Sequence, residues 1–247
     1  MNTTVTHTER GTGRAILLLH GGAGPQSVTG FAERLAAELP ARVITPAHPG
    51  FDGTPRPETV ATVADLAAVY DAFLDDLDLH DVTVIGNSIG GWIAAELALR
   101  GSARIGRVVL VDAVGIEVPG HPVADFFNLT FPQIAQASYY EPERYLINPD
   151  TMSEQARAVM AGNRAALAVY AGGPAMADPT LQPRLKGLTY PALVVWGDSD
   201  RIVDPDFGRA YAEAIPGARF VLLERTGHLP QIESPQALLA ALRAFTS

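Results

Sequence analysis

Six short aliphatic runs recur along the chain with almost no polar alternation: Ala15–Leu19 (AILLL), Arg42–Thr45 (RVIT), Val82–Ile85 (VTVI), Arg107–Val111 (RVVLV), Ala192–Trp196 (ALVVW) and Arg219–Leu223 (RFVLL). A strand with one wet face alternates apolar and polar residues, whereas a strand covered on both faces is apolar throughout. The runs therefore read as buried strands of a mostly parallel sheet. Between them the period lengthens to that of a helix. Residues 61–77 place Val63, Leu66, Ala67, Tyr70, Phe73, Leu74 and Leu77 on one stripe, and Gly90–Arg100 continues from its glycines as WIAAELALR. Ser234-Pro235 joins a cap residue to a first-turn proline and predicts a last helix to about Phe245. Strands alternating with helices in this way predict an α/β fold with a doubly wound sheet. A leading strand is expected at about Thr3–Glu9.

One block departs from the rhythm. Between Gly115 and Gly187 there is no strand pattern, but there are several prolines, the aromatics Phe126, Phe127, Phe131, Tyr139 and Tyr140, and a helical stretch, Ser153–Tyr170, with Ser153 as its cap. Sheet strands flank the block on both sides, so it predicts a helical insertion over one end of the sheet. The expected division is a core of residues 1–114 and 188–247 and an inserted segment of residues 115–187.

Composition removes several classes of function. A formal charge of -9 opposes general affinity for nucleic acid or an anionic membrane, since phosphates would be repelled. The absence of cysteine excludes disulfides and thiolate chemistry. The polar start MNTTVTHTERGTGR has no apolar signal-peptide core, and no apolar run is long enough to span a bilayer, so a cytoplasmic location is expected. The six histidines are scattered, which leads us to expect neither metal nor cofactor.

Four loops carry candidate chemistry, each behind a predicted strand. In Gly86-Asn87-Ser88-Ile89-Gly90 the small flanking residues allow a tight strand-to-helix turn that would project the Ser88 hydroxyl at a helix N-terminus. Read alone, Ser88 fits a helix cap about as well as a nucleophile. His20-Gly21-Gly22-Ala23-Gly24-Pro25 could turn backbone N–H groups inward, with His20 ordering the loop by hydrogen bonding. Gly197-Asp198-Ser199-Asp200 offers a carboxylate and Gly227-His228-Leu229 an imidazole. His7, His48, His80 and His121 lack such placement and are expected on the surface or in loops. The order Ser88, Asp200, His228 is that of nucleophile, acid and base, all at strand C-termini, where open α/β sheets build their sites.

The motifs HGGAGP, GNSIGG, WGDSDRIV and GHLPQIESP, in this order and spacing, resemble the α/β-hydrolase family over almost the whole chain. The resemblance implies Ser88 as nucleophile, His228 as general base and Asp200 as its partner. Asp200 is preferred to Asp198 because Gly197, Asp200 and Val203 match the family's Gly-x-x-Asp-x-x-Val, and Asp112 behind RVVLV is an alternative position for the acid. It also implies an oxyanion hole from the N–H groups of Ile89 and Gly22, with Ala23 as alternative to Gly22. Residues 115–187 would be the family's helical cap, its aromatics lining a substrate pocket bordered by Asn87, Ala23 and Leu229. Two departures are apparent: PAHPGFDGT replaces the usual acidic loop after the second strand, and the leading hairpin is shortened. The implied reaction is hydrolysis of a small carboxylic ester. One alternative is carbon–carbon hydrolysis of a ring-fission product, with Arg164 or Arg157 on the substrate carboxylate. Another is a small-ligand receptor that keeps an intact triad.

Overall fold

Each of the six aliphatic runs forms a strand in the computed structural model, which describes residues 4–246. In chain order the elements of the first half are β1 (His7–Arg10), β2 (Arg14–Leu19), α1 (Gln26–Glu38), β3 (Ala41–Pro46), α2 (Val63–Asp76), β4 (Val82–Asn87), α3 (Ile89–Leu99) and β5 (Ile105–Val111). They continue as α4 (Phe131–Ser138), α5 (Glu154–Ala171), α6 (Leu181–Arg184), β6 (Ala192–Gly197), α7 (Pro205–Ala214), β7 (Arg219–Leu223), α8 (Pro230–Glu233) and α9 (Pro235–Thr246).

The seven strands lie in the order β1-β3-β2-β4-β5-β6-β7, with β1 antiparallel to β3 and every other pairing parallel. Both faces are covered, which is why the strands carry no polar alternation. Ile16, Leu18, Ile85, Val109 and Val195 pack beneath α1 and α9, while Leu17, Leu19, Val84, Leu110 and Trp196 pack beneath α2, α3 and α7. The chain leaves β2 for β3 on one side and returns to β4 on the other, so the order reverses between β2 and β4. Helical connections diverge there and open a crevice at the strand C-termini. In register, Leu19 faces Gly86 and Asn87 faces Val111, which brings the ends of β2, β4 and β5 level.

Residues 115–187 connect β5 to β6 without adding a strand to the sheet, and they contain α4, α5, α6 and short 3-10 turns. They are tied to the core at four loops, the Gly-rich loop among them, where Asn163 donates to Ala23 O at 3.2 Å. Tyr170 donates its hydroxyl to Pro49 O at 2.8 Å, Arg201 N donates to Ala137 O at 3.0 Å, and His228 N donates to Ser138 O at 2.8 Å. Beneath them α3 is buried on almost every side, including Glu96, whose carboxylate takes a two-pronged ion pair from Arg184 at 2.8 and 2.6 Å.

Some expectations shift. The leading strand is His7–Arg10, not Thr3–Glu9; Thr3 lies outside the described residues. Pairing to β3, not apolar pattern, sets its limits. Helix α2 begins at Val63 because Thr62 and Asp65 exchange side-chain-to-backbone hydrogen bonds across its first turn. The sequence pattern passed over α1 and α7, although Asp204-Pro205 caps and opens α7 as Ser234-Pro235 opens α9.

The turn from β4 into α3 is the tightest point of this framework. A Cβ on Gly86 would collide with the backbone of Gly90, and one on Gly90 would lie 2.5 Å from Leu19 O and 2.6 Å from His20 O. Neither neighbour is a flexible side-chain end, so neither can give way. Gly86→Ala is expected to cost about 3 kcal/mol or more, seen as a lowered urea midpoint or as failure to accumulate folded protein; a wild-type midpoint would contradict the crowding.

Candidate active site

Ser88 occupies the turn with φ 57° and ψ -121°, a conformation that L residues rarely adopt and that the flanking strand and helix impose. Its N–H donates to Val111 O at 2.9 Å and its carbonyl accepts from Gly91 N at 2.9 Å, so the backbone is held from both sides. Ser88 makes no side-chain cap to α3. Its Oγ stands instead 2.9 Å from Nε2 of His228, and Nδ1 of His228 stands 2.7 Å from Oδ2 of Asp200. A carboxylate only accepts, so Nδ1 carries the proton and Nε2 is free to accept from the serine hydroxyl. The other oxygen of Asp200 accepts from Ile202 N at 2.8 Å and Val203 N at 3.1 Å. Residues from the ends of β4, β6 and β7 thus form one hydrogen-bonded chain. Asp198 is exposed and bonded to Ser199 and Thr226, away from the imidazole.

The Gly-rich loop behind β2 lies directly against the serine. A Cβ on Gly21 would be 3.2 Å from Ser88 Cβ, and Gly22, Ala23 and Ser88 line the same cavity. Ile89 opens α3, so its N–H is among those that a helix leaves without an internal partner. Leu167 of α5 packs over Gly22 so closely that a Cβ there would meet its Cδ2 at 2.6 Å.

A buried polar network fixes this loop. His20 Nδ1 donates to Gly21 O at 2.7 Å and its Nε2 accepts from His48 N at 3.1 Å. His48 Nε2 donates in turn to His20 O at 2.9 Å, while its Nδ1 accepts from the Tyr70 hydroxyl. His20 therefore orders its loop as its position suggested. His48 lies in a loop, PAHPGFDGT, as expected, but not at the surface: it is fully buried. Burial holds both imidazoles below their usual range, His48 at about 4.

Further polar side chains brace the histidine loop. Asn87 Nδ2 donates to His228 O at 3.0 Å and to Val111 O at 3.3 Å, and its Oδ1 accepts from Gln231 at 3.1 Å. Asn87 also borders the cavity, but its hydrogen-bonding groups are turned to the His228 loop. The Glu233 carboxylate accepts from Gly227 N at 2.7 Å, Tyr140 N at 2.9 Å and Glu141 N at 3.0 Å, joining the histidine loop to the inserted segment. Gln231 and Glu233 lie within GHLPQIESP, but nothing in that stretch marks either one as a brace.

The cavity above Ser88 has a volume of about 140 Å³, with Phe126, Phe131, Ile134, Tyr145, Leu167 and Leu229 in its wall. Arg164 and Arg157 are not in that wall. The guanidinium of Arg164 donates to Phe126 O at 3.1 Å and Phe127 O at 2.6 Å, and Arg157 donates to Pro149 O at 3.1 Å. Among the described residues one mixed group could hold a metal ion: His121, Asp204 and Asp206, with ligand atoms within 4.8 Å of one another. Asp204 already pairs with His121 at 2.6 Å, which raises the imidazole pKa. The described residues include no helix long and apolar enough to cross a membrane.

Fold and site together define an enzyme architecture in which a strand-to-helix turn presents a serine to a histidine and an acid. The chain belongs to the alpha/beta hydrolase family, whose model matches residues 16–242. It is 27% identical to Lipase 3 of Moraxella sp. (strain TA144) over 95% of this chain and 78% of that protein. It is also 29% identical to 2-hydroxy-6-oxononadienedioate/2-hydroxy-6-oxononatrienedioate hydrolase of Burkholderia vietnamiensis, over 93% of this chain and 86% of that one. Among solved structures, a thermophilic esterase from Thermogutta terrifontis superposes with a TM-score of 0.77 at 25% identity, covering 98% and 92% of the two chains. These relatives are hydrolytic enzymes, and hydrolysis is the activity that the family supports for this chain.

The buried His48 makes stability depend on pH. Its pKa is about 4 folded against 6.5 in the unfolded chain, so acidification protonates the unfolded state first. The contribution of His48, about 3 kcal/mol, is complete above pH 6.5 and is lost as the pH drops towards 4, and the buried His20 acts in the same direction. Urea midpoints measured between these limits should fall, and His48→Gln, which keeps a donor for His20 O, should flatten the slope. An unchanged slope in the variant would count against this assignment.

Proposed function

We propose that the protein is a serine hydrolase that cleaves a carboxylic ester of a small apolar acid through an acyl-enzyme on Ser88. The observation that carries this reading is the unbroken hydrogen-bonded chain Ser88–His228–Asp200 at the base of an apolar cavity. His228 Nε2 takes the hydroxyl proton as Ser88 Oγ attacks the ester carbonyl. Asp200 holds Nδ1–H and offsets the positive charge that develops on the ring. The N–H groups of Gly22 and Ile89 receive the oxyanion, a contribution worth ~10²–10³ in rate per donor in comparable sites. The protonated His228 then delivers its proton to the departing alcohol, and water activated by the same nitrogen releases the acid.

Two features favour an ester over a carbon–carbon substrate. A ring-fission dienoate carries a carboxylate, yet no Lys or Arg lines the cavity, and both candidate arginines are engaged with backbone carbonyls. The cavity volume, about 140 Å³, is close to the roughly 150 Å³ that holds a benzene-sized group. A second groove of about 500 Å³ shares Phe126, Phe131 and Ile134 with the cavity and continues along α5, a path for the alcohol portion; Arg164 borders this outer groove and not the inner cavity, with its guanidinium bonded to Phe126 O and Phe127 O. Residues 115–187 would then act as the cap that separates acyl group from solvent.

The test is a panel of p-nitrophenyl esters with a ring-fission dienoate beside them. Butyrate should exceed palmitate by at least roughly tenfold in kcat/KM, and the dienoate should be a poor substrate. Ser88→Ala should lose at least ~10³-fold of the esterase activity and all labelling by a fluorophosphonate, and unchanged hydrolysis in that variant would refute the assignment. Steady turnover, as against a single burst, separates the enzyme from a ligand receptor built on the same triad.

A further inference from the structure

The proposed reaction leaves one buried acid unused. Asp112, directly behind β5, is fully buried at φ 46°. Its N–H donates to Val195 O at 3.0 Å and its Oδ1 accepts from Gly197 N at 2.8 Å, so it joins the ends of β5 and β6. Its Oδ2 receives no hydrogen bond from any N–H or O–H donor. Gly197, whose N–H donates to Asp112 Oδ1, accepts at its own carbonyl from Asp200 N at 3.3 Å, so the two acids meet at one turn, and Asp200 bears on Asp112 both by its charge and as a side-chain hydrogen-bond partner.

None of the local structure requires an acid at this position. Glycine and asparagine suit a left-handed backbone at least as well, and an asparagine Oδ1 would accept the same bond from Gly197. A buried carboxylate with a vacant oxygen is costly, and two ionised carboxylates in dry contact repel each other strongly. One of the two must hold a proton. Asp200 is the partner built to stay ionised, since Ile202 N, Val203 N and His228 Nδ1 all direct donors at it. Asp112 has one donor only.

We propose that Asp112 is a neutral carboxylic acid whose Oδ2 donates a hydrogen bond to the Asp200 carboxylate, making it a positioning residue for the acid of the triad. This rests on the reading of Ser88, His228 and Asp200 as that triad. Burial and the negative charge of Asp200 both push the Asp112 pKa well above the usual carboxylate range, in accord with this role. Asp200 then accepts four hydrogen bonds, which fix its orientation and temper its basicity towards His228, the other titratable group it touches. The pair carries a single negative charge, and protonation of His228 during turnover leaves the site neutral.

Two substitutions separate this arrangement from its rivals. Asp112→Asn keeps a neutral donor towards Asp200, so kcat should stay within about threefold of wild type and the acid limb of kcat/KM should not move. Asp112→Ala removes the donor; kcat should fall about tenfold or more with little change in KM. Its acid limb should rise by about half a unit, because an Asp200 with one donor fewer holds the imidazolium more tightly. If Asp112 were ionised, Asp112→Asn would delete a negative charge beside the pair and lower the acid limb by about one unit, which would overturn the proposal. A wild-type kcat and pH profile in Asp112→Ala would overturn it as well. Infrared difference spectra provide a readout that needs no turnover and no alanine variant. At neutral pH the wild type should show the carbonyl stretch of a protonated carboxylic acid that Asp112→Asn lacks, and identical spectra would refute the assignment. Because that band does not depend on hydrolysis, its presence alongside an inactive enzyme would count against the proposed reaction and not against the state of Asp112.

Discussion

The backbone crossing between β4 and α3 is the constraint on which the remainder of the site depends. Gly86 and Gly90 approach so closely that no side chain fits between them, and Gly90 also presses against the carbonyls of Leu19 and His20. That contact brings the end of β2 against the start of α3. The Gly-rich loop and Ser88 are therefore neighbours by packing, whatever substrate the site meets. The unusual backbone of Ser88 is a consequence of the same crowding, and bonds from Val111 and Gly91 on either side hold it in place. Reversal of strand order between β2 and β4 supplies the space above it.

Around this rigid point the other loops are fixed by buried polar side chains instead of regular structure. Asn87 and Gln231 hold the carbonyl side of the His228 loop, and Glu233 holds its N–H side together with the inserted segment. His20, His48 and Tyr70 do the same for the Gly-rich loop. In a dry interior such bonds are strong when complete and costly when one member is missing. This explains why an imidazole so deeply buried as His48 remains uncharged while still serving as donor and acceptor at once. Positioning the hydroxyl, imidazole and N–H groups before a substrate arrives is what acyl transfer requires, since reorganisation at the moment of reaction would slow it.

The sheet was legible because strands buried on both faces leave continuous apolar runs, and the loops behind those runs were legible because glycines and prolines mark them. Ser88, Asp200 and His228 come together as their order along the chain suggests. Other features were missed or left weaker traces. Helices α1 and α7 do carry a helical stripe, Val28, Phe31, Ala32 and Leu35 in the first and Phe207, Gly208 and Tyr211 in the second, so their pattern was available in the sequence and was passed over. His48 is a loop residue, as its turn-forming neighbours Pro49 and Gly50 suggest, but its burial is explained only by the distant Tyr70 and His20. The group formed by His121 and Asp204 is separated by 83 positions, so no local spacing announces it. Asp112 was visible as a residue at a strand end, yet its relation to Asp200 depends on the register of β5 against β6.

On the proposed reaction, the cavity wall is what would set selectivity. Its aromatic and aliphatic residues come largely from residues 115–187, a segment held by hydrogen bonds to the core loops, by the Arg184–Glu96 ion pair and by apolar packing, and not by sheet pairing. The formal charge of -9 is carried mostly by residues at the surface, whereas no Asp, Glu, Lys or Arg lines the inner cavity. A charged acyl group would lose its hydration there without gaining a partner, at a cost of several kcal/mol. A neutral apolar acyl group meets no such cost, and the same dry wall strengthens every hydrogen bond directed at a developing oxyanion. Discrimination by such a wall would act mainly through size and desolvation, so on the proposed reaction exchanging a few wall residues of segment 115–187 would change the substrate while the turn at Ser88 and its bracing stay as they are.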